Sequence, residues 1–181
     1  MSKECARKSS IFRKKRVEVI PNGLDIENYK PFTKRIERKR LGLSQDNKLI
    51  LFEAISATSD KRKRFNLLRE SLNKLTDTRF CEKLELVVLG ASEPAAKQDL
   101  GMKIYYMGHV HDKDALVSLY AAVDVFIAPS TQENLSNMVM ESMACGIPVF
   151  AFDIGDMPDM IEHKKNGYLA RQFETGDWLK E

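Results

Sequence analysis

Short apolar runs, each ended by glycine or proline, are the feature that most constrains the fold of this 181-residue chain. The clearest are Leu84–Leu89, which stops at Gly90, and Val123–Ala128, which stops at Pro129. Because most of each run, Leu86–Leu89 and Val125–Ala128, is continuously apolar rather than alternating, the runs are typical of strands that are buried on both faces. Strands of that kind occur in parallel sheets that are covered by helices on both sides.

The rest of the chain alternates between strands and amphipathic helices. The further strands and extended pieces are predicted at Val17–Ile20, Lys48–Ile55, Lys103–Met107, Ile147–Phe152 and Gly167–Ala170. The helices are predicted at 33–41, Phe65–Leu75, the residues after the N-cap Asp112, Asn137–Ala144 and Met157–Glu162. This alternation predicts an α/β fold, a doubly wound Rossmann-like parallel sheet with helices on both faces.

The composition places the chain among globular proteins with a core. Hydrophobic residues make up 43% and charged residues 30% of the chain, which excludes a disordered tail, a collagen-like fibre and a disulfide scaffold. No apolar run approaches the ~20 residues that a membrane span needs, and the N-terminus lacks the apolar segment of a secretory signal. The three cysteines, Cys5, Cys81 and Cys145, are far apart, which favours a reducing, cytosolic environment over disulfides or structural zinc.

Charge is distributed unevenly along the chain. Residues 1–64 contain 18 Lys and Arg against 8 Asp and Glu, whereas residues 65–181 contain 11 against 18. Basic clusters of this kind attract nucleic acid, anionic lipid or phosphorylated ligands. The alternative is an ordinary solvated surface.

Two glutamates flank the start of a predicted helix at the sheet edge where ligands bind in such folds. Glu133 lies in the loop after the strand that ends at Ala128, and Glu141 lies on the helix that follows. The free amide groups of a helix N-terminus suit a diphosphate, and carboxylates can hold sugar hydroxyls. The alternative is that Glu133 caps the helix and Glu141 faces solvent.

The sequence around these glutamates resembles a known signature. Glu133 and Glu141, separated by seven residues and followed by Met143–Val149, resemble the motif of retaining glycosyltransferases with the GT-B fold, glycosyltransferase family 4 (glycosyl transferases group 1). Further segments are similar to that family's motifs and follow in the same order: Val19–Asp25, Leu119–Ser130, Asp153–Ile161 and Asn166–Leu169.

The resemblance implies a domain organisation and an activity. Residues 1–16 are expected to form a basic lead-in segment, and residues 17–181 the C-terminal nucleotide-sugar-binding domain, with the acceptor domain absent and the final helices truncated. The implied reaction is transfer of a hexose from a nucleoside-diphosphate sugar to a polysaccharide or lipid-linked acceptor, with the isolated chain inactive. The alternatives are an inactive nucleotide-binding module and half of a GT-B-like sugar-nucleotide epimerase.

The resemblance also implies roles for single residues. Glu133 and Lys63 are expected to be catalytic, with Glu133 on the donor sugar and Lys63 neutralising the departing diphosphate. The residues expected to bind the rest of the donor are Arg62, Asn134, Leu135, Ser136, Asn137 and Glu141, of which Glu141 would hold the ribose.

Partners and location follow from the same resemblance and from the charge. No metal or other cofactor is expected, because the nucleoside-diphosphate sugar is itself a substrate. Nucleic acid is not an expected partner. The basic first half, together with the lipid-linked acceptors common in the family, suggests a cytoplasmic protein that meets an anionic membrane surface at its inner face.

Overall fold

The computed structural model describes residues 3–18, 20, 22–54, 68–72, 83–93, 100–130 and 136–171. Its helices are α1 (Lys3–Lys8), α2 (Lys34–Arg40), α3 (helical residues 68–72), α4 (Lys113–Ala122), α5 (Asn137–Ala144) and α6 (Met157–Met160). Its strands are β1 (Lys48–Glu53), β2 (Leu84–Leu89), β3 (Lys103–Tyr106), β4 (Val125–Ala128), β5 (Val149–Phe152) and β6 (Gly167–Ala170). Within these ranges, no helix combines the length and the apolar character that crossing a membrane requires.

The six strands form one sheet in the order β3-β2-β1-β4-β5-β6, and every neighbouring pair is parallel. Strands β1, β2 and β3 follow one another toward one edge of the sheet. The chain then returns to the centre, where β4 pairs with the other side of β1. The reversal creates a crevice beyond the carboxyl ends of β1 and β4, which is where open α/β sheets bind their ligands. The predicted parallel sheet is therefore confirmed, and its order locates the expected site.

Successive residues of the central strands point to opposite faces, so the sheet separates two apolar layers. On one face Leu49 and Leu51 of β1 pack with residues of α4 and α5, including Tyr120 and Val139. On the other face Ile50 and Phe52 pack with Leu68 and Leu72 of α3. Helices thus cover both faces, as the continuously apolar strands predicted.

Helix boundaries follow local signals. The Asp112 side chain accepts a hydrogen bond from the Ala115 amide at 2.9 Å and so caps α4, as predicted. Helix α5 spans the predicted residues and ends before Gly146, whose φ of +81° is a left-handed conformation that glycine adopts without strain. These two ends determine where α4 and α5 lie against the sheet.

The N-terminal strand prediction was wrong for the residues described. Val17, Glu18 and Ile20 lie outside any strand, and Ile20 is 87% exposed. β-branched residues favour strands only where a pleated, half-buried surface receives them, and this segment has no such surface. The predicted extended piece at Gly167–Ala170 is instead a full member of the sheet, paired with β5.

The amino end of the sheet is held by a network around Asp124. Its carboxylate accepts hydrogen bonds from Lys34 Nζ at 2.8 Å, Arg38 Nη2 at 2.5 Å and the Leu49 amide at 2.8 Å. Arg38, only 5% exposed, also donates through Nε to the Ala122 carbonyl at 2.7 Å. Burial alone would raise the pKa of Asp124, but the hydrogen bonds from Lys34 and Leu49 and the charges of Lys34 and Arg38 hold it below its usual value.

Candidate active site

The crevice at the carboxyl ends of β1 and β4 is the candidate site. Its walls come from the end of each strand and from the start of α5, and the lining residues are Glu53, Phe126, Ile127, Ala128, Pro129, Ser130 and Ser136. The parallel register aligns Phe52 with Ile127, so both strands end at the same level. Side chains from β1, β4 and α5 therefore meet at one edge.

Helix α5 begins at this crevice with an open first turn. Ser136 occupies the N-cap position in an extended conformation, and its side chain makes no capping hydrogen bond to any described residue. The backbone amides of such an uncapped first turn carry the positive end of the helix dipole. The arrangement suits an anionic group such as a phosphate.

Asn137, the first residue of α5, is tied to the preceding segment of the chain. Its side-chain Oδ1 accepts a hydrogen bond from Asn22 Nδ2 at 3.1 Å. At the other end of α5, a Cβ placed on Gly146 would lie 3.3 Å from Pro31 Cγ. Residues 22–31 therefore run beside α5 from its first residue to its C-terminal end.

Glu141 lies one turn beyond Asn137 and is half-buried. The fully buried Tyr120 of α4 donates a hydrogen bond from its hydroxyl to Glu141 Oε2 at 3.0 Å. Tyr29, which is 7% exposed, approaches the same carboxylate from the segment beside α5. Glu141 is thus oriented by the core rather than turned freely to solvent, so the solvent-facing alternative for this residue is not what the structure shows.

Electrostatics keep these tyrosines in their donor form. Burial raises the pKa of Tyr120, and the charge of Glu141 raises it further. The same two causes, in the same order, raise the pKa of Tyr29. Both hydroxyls therefore remain protonated at neutral pH and present neutral groups to the carboxylate.

Cys145, at the end of α5, is a buried thiol. Burial raises its pKa to about 11, and the nearby Glu141 adds to the shift. A thiol with that pKa is a poor nucleophile at neutral pH, because the thiolate is the reactive form. Cys145 is therefore a small core residue.

Of the predicted site residues, Ser136, Asn137 and Glu141 are brought together on the first two turns of α5. Glu133, Asn134 and Leu135, like Arg62 and Lys63, lie outside the described residues, and their roles stay predictions. Within the described ranges, no group of three or more His, Cys, Asp or Glu side chains is placed to hold a metal ion.

Sequence reasoning missed Tyr29 and Tyr120 as neighbours of Glu141. Tyr120 lies on the apolar face of α4, but its hydroxyl reaches a residue 21 positions further along the chain. A tyrosine within an apolar helix face, where leucine or phenylalanine would pack as well, is the only signal that could have found it, because a buried hydroxyl requires a partner.

Comparisons with known proteins agree with this architecture. The family model described as glycosyl transferases group 1 matches residues 48–180, well over half of the chain. A D-inositol 3-phosphate glycosyltransferase from Mycobacteroides abscessus is 27% identical over 173 residues, covering 90% of this chain and 37% of that protein. The chain therefore spans less than half the length of this relative.

Two solved structures are similar as well. Anabaena HepE in complex with UDP-glucose superposes with a TM-score of 0.69 and 25% identity, over 89% of this chain and 45% of that chain. The C-terminal domain of a glycosyl transferase group 1 family protein from Francisella tularensis superposes with a TM-score of 0.67 and 20% identity, covering 86% of this chain and 84% of that domain. The chain thus belongs to the glycosyl transferases group 1 family, and its fold is that of the C-terminal domain of the GT-B members.

Proposed function

We propose that this chain is the donor-binding domain of a retaining glycosyltransferase that transfers a hexose from a nucleoside-diphosphate sugar to a polysaccharide or lipid-linked acceptor. The observation that carries the proposal is the position of Glu141, a half-buried carboxylate one helical turn beyond the uncapped start of α5. Four residues of helix rise about 6 Å, which separates an anion site at the helix start from a hydroxyl-binding carboxylate. A nucleoside diphosphate carries its phosphates and its ribose hydroxyls in that order.

Each part of the donor then has a place. The amides of the first turn of α5 bind the diphosphate, and Glu141 accepts hydrogen bonds from the ribose hydroxyls. Glu133 and the neighbouring Asn134 and Leu135 contact the sugar. Lys63 and Arg62, which follow β1 in the chain, neutralise the charge that the nucleoside diphosphate gains as it departs. The solved complex of HepE with UDP-glucose, at 25% identity, supports uridine diphosphate and glucose as the first donor to test.

Calorimetric titration of the chain with UDP, GDP and their glucose conjugates tests the proposal. We expect saturable binding in the micromolar to millimolar range, stronger for diphosphates than for the free nucleosides. The nucleosides are the matched control, because they carry the same ribose without the phosphates. The absence of saturable heat with every nucleotide up to several millimolar would contradict the proposal.

We further propose that the parent protein meets an anionic membrane surface through the outer face of α2. This face carries Ile36, which is 62% exposed, between the exposed basic residues Arg35 and Lys39, and the preceding Phe32 is 48% exposed. An apolar centre with basic flanks favours the interface of anionic lipid bilayers. Sedimentation with phosphatidylserine vesicles at low salt should fall for Ile36→Asp. If the wild-type chain sedimented as strongly with neutral vesicles as with phosphatidylserine vesicles, the proposed membrane contact would be contradicted.

A further inference from the structure

We propose that Tyr120 is a positioning residue whose buried hydroxyl holds the Glu141 carboxylate in the orientation that receives the ribose hydroxyls. The inference rests on the proposed function, because it assigns the means by which Glu141 is prepared for its ligand. It concerns a residue of α4, on a different helix from the site itself.

The position of the Tyr120 hydroxyl is determined by the core. The Tyr120 side chain has no exposed surface. It belongs to the apolar core on the face of the sheet that α4 covers, together with Leu119 and Val123. A tyrosine side chain has two rotatable bonds before its hydroxyl, and both are restrained when the ring is enclosed. The hydroxyl is therefore a rigid donor, and it lies 3.0 Å from Glu141 Oε2.

A glutamate on a helix surface has three rotatable bonds and samples several rotamers. Fixing such a side chain when a ligand arrives costs binding free energy, and fixing it beforehand removes that cost. The bond from Tyr120 does this for Glu141, with Tyr29 enclosing the carboxylate from the side of residues 22–31. The carboxylate is thus oriented before a nucleotide binds.

The chemistry of the bond suits this role. An ionised carboxylate has about four lone-pair positions, and Tyr120 uses one of them on Oε2. Tyr29 faces the same carboxylate as a second neutral donor, so about two positions stay available for two hydroxyls. Because the donor is neutral, it leaves the negative charge of Glu141 uncompensated, and that charge strengthens the bonds to ribose. A lysine or arginine in the same place would compete with the ligand.

Removal of the hydroxyl tests the inference. Tyr120→Phe keeps the buried ring and should weaken binding of UDP or GDP, whichever binds the chain more tightly, by roughly fivefold to tenfold. Binding of the 2′,3′-dideoxyribose analogue of that diphosphate should not change. In a Glu141→Gln background, the further change Tyr120→Phe should have almost no effect on affinity. A purely structural role for Tyr120 would weaken both ligands equally and would persist in the double variant.

The molecule contains a matched control. The Tyr105 hydroxyl donates to Glu85 Oε2 at 3.1 Å, far from the crevice and near the amino ends of β2 and β3. Tyr105→Phe removes the same kind of bond and should leave nucleotide affinity unchanged. If Glu141→Gln does not weaken the diphosphate, both the proposed function and the inference fail. If Glu141→Gln weakens it and Tyr120→Phe does not, the inference alone fails.

A crystal structure of the wild-type chain with the diphosphate provides a second measurement that does not depend on a variant folding. We expect the Tyr120 hydroxyl to remain on Glu141 Oε2 while the ribose hydroxyls bind the rest of the carboxylate. A Glu141 side chain that leaves Tyr120 in order to bind the ribose would overturn the inference.

Discussion

Two carboxylates at opposite edges of the same sheet have opposite surroundings. At the amino edge, Asp124 accepts hydrogen bonds from two cationic side chains and from a backbone amide, and a third cation, Lys48 Nζ, lies 3.9 Å away. At the carboxyl edge, Glu141 is held by the neutral Tyr120, and no described basic side chain forms a salt bridge with it. The first carboxylate is neutralised by cations and accepts three hydrogen bonds, whereas the second keeps its charge and acceptor positions for a ligand.

The two edges of the sheet therefore have different roles, one in stability and one in binding. Arg38 crosses from α2 and bonds Asp124, the Ala122 carbonyl and the carbonyls of Gln45 and Asn47, so it joins α2, α4 and the start of β1. A partly buried charge pair that is hydrogen-bonded to several elements specifies how those elements fit together. At the carboxyl edge, Glu141 instead keeps hydrogen-bond acceptor positions for a ligand. Variants at the two edges should therefore separate stability from affinity.

The largest effect should follow from breaking the amino edge. Arg38→Met leaves Asp124 and three backbone carbonyls without their shared donor, and we expect it to lower the free energy of unfolding by about 3–5 kcal/mol. Urea unfolding followed by circular dichroism measures this loss. Arg35→Ala, an exposed arginine on the same helix, is the control and should change stability by less than about 0.5 kcal/mol. Equal stability of the two variants would show that the network is not structural.

The next effect belongs to the carboxyl edge and should appear in affinity instead. Glu141→Ala removes charge-assisted bonds to ribose, each worth about 1.5–3 kcal/mol, so diphosphate affinity should fall roughly tenfold to a hundredfold. Calorimetry with UDP and GDP measures it. Glu133→Ala is the companion variant, since it should reduce discrimination between sugar conjugates and leave plain diphosphate binding nearly normal. Unchanged diphosphate affinity in a folded Glu141→Ala chain would remove the ribose assignment.

A smaller effect should come from the basic residues that follow β1 in the chain. Lys63→Ala should weaken diphosphates roughly tenfold and leave nucleosides almost unaffected, because the partner of Lys63 is phosphate charge. The ratio of the two affinities, compared with that of the wild-type chain, is the measurement. A proportional loss for nucleosides and diphosphates would place Lys63 away from the phosphates.

The smallest effect should be a pH dependence of stability at the amino edge. The pKa of Asp124 is lower in the folded chain than its ordinary value of 3.8, so its contribution to stability is present above that value and is lost as pH falls through the lower folded pKa. Stability measured from pH 6 downward should therefore fall less steeply below pH 4 in Asp124→Asn than in the wild-type chain. Parallel curves for the two chains would contradict the assigned role of the Asp124 carboxylate.

Two segments show what local sequence patterns can and cannot predict about secondary structure. Helix α5 was predicted with its exact residues, because an apolar face and the terminating Gly146 are both local signals. Val17–Ile20 is rich in β-branched residues, which favour strands, yet its described residues are in none of the strands. Amino-acid composition alone does not distinguish a segment that pairs as a strand from one that does not, because strand pairing depends on distant residues.

Local signals in the sequence predict the parallel α/β sheet, the bounds of α5 and the placement of Ser136, Asn137 and Glu141 at one helix, because each depends on apolar periodicity or on caps within a few residues. The partner of each charged group, by contrast, depends on the tertiary structure. Arg38 meets Asp124 across 86 positions of the chain, and Tyr120 meets Glu141 across 21. Such pairs form where the sheet order brings α2, α4 and α5 together on one face. Side-chain partners across that face depend on the three-dimensional packing of whole elements, which no local pattern encodes.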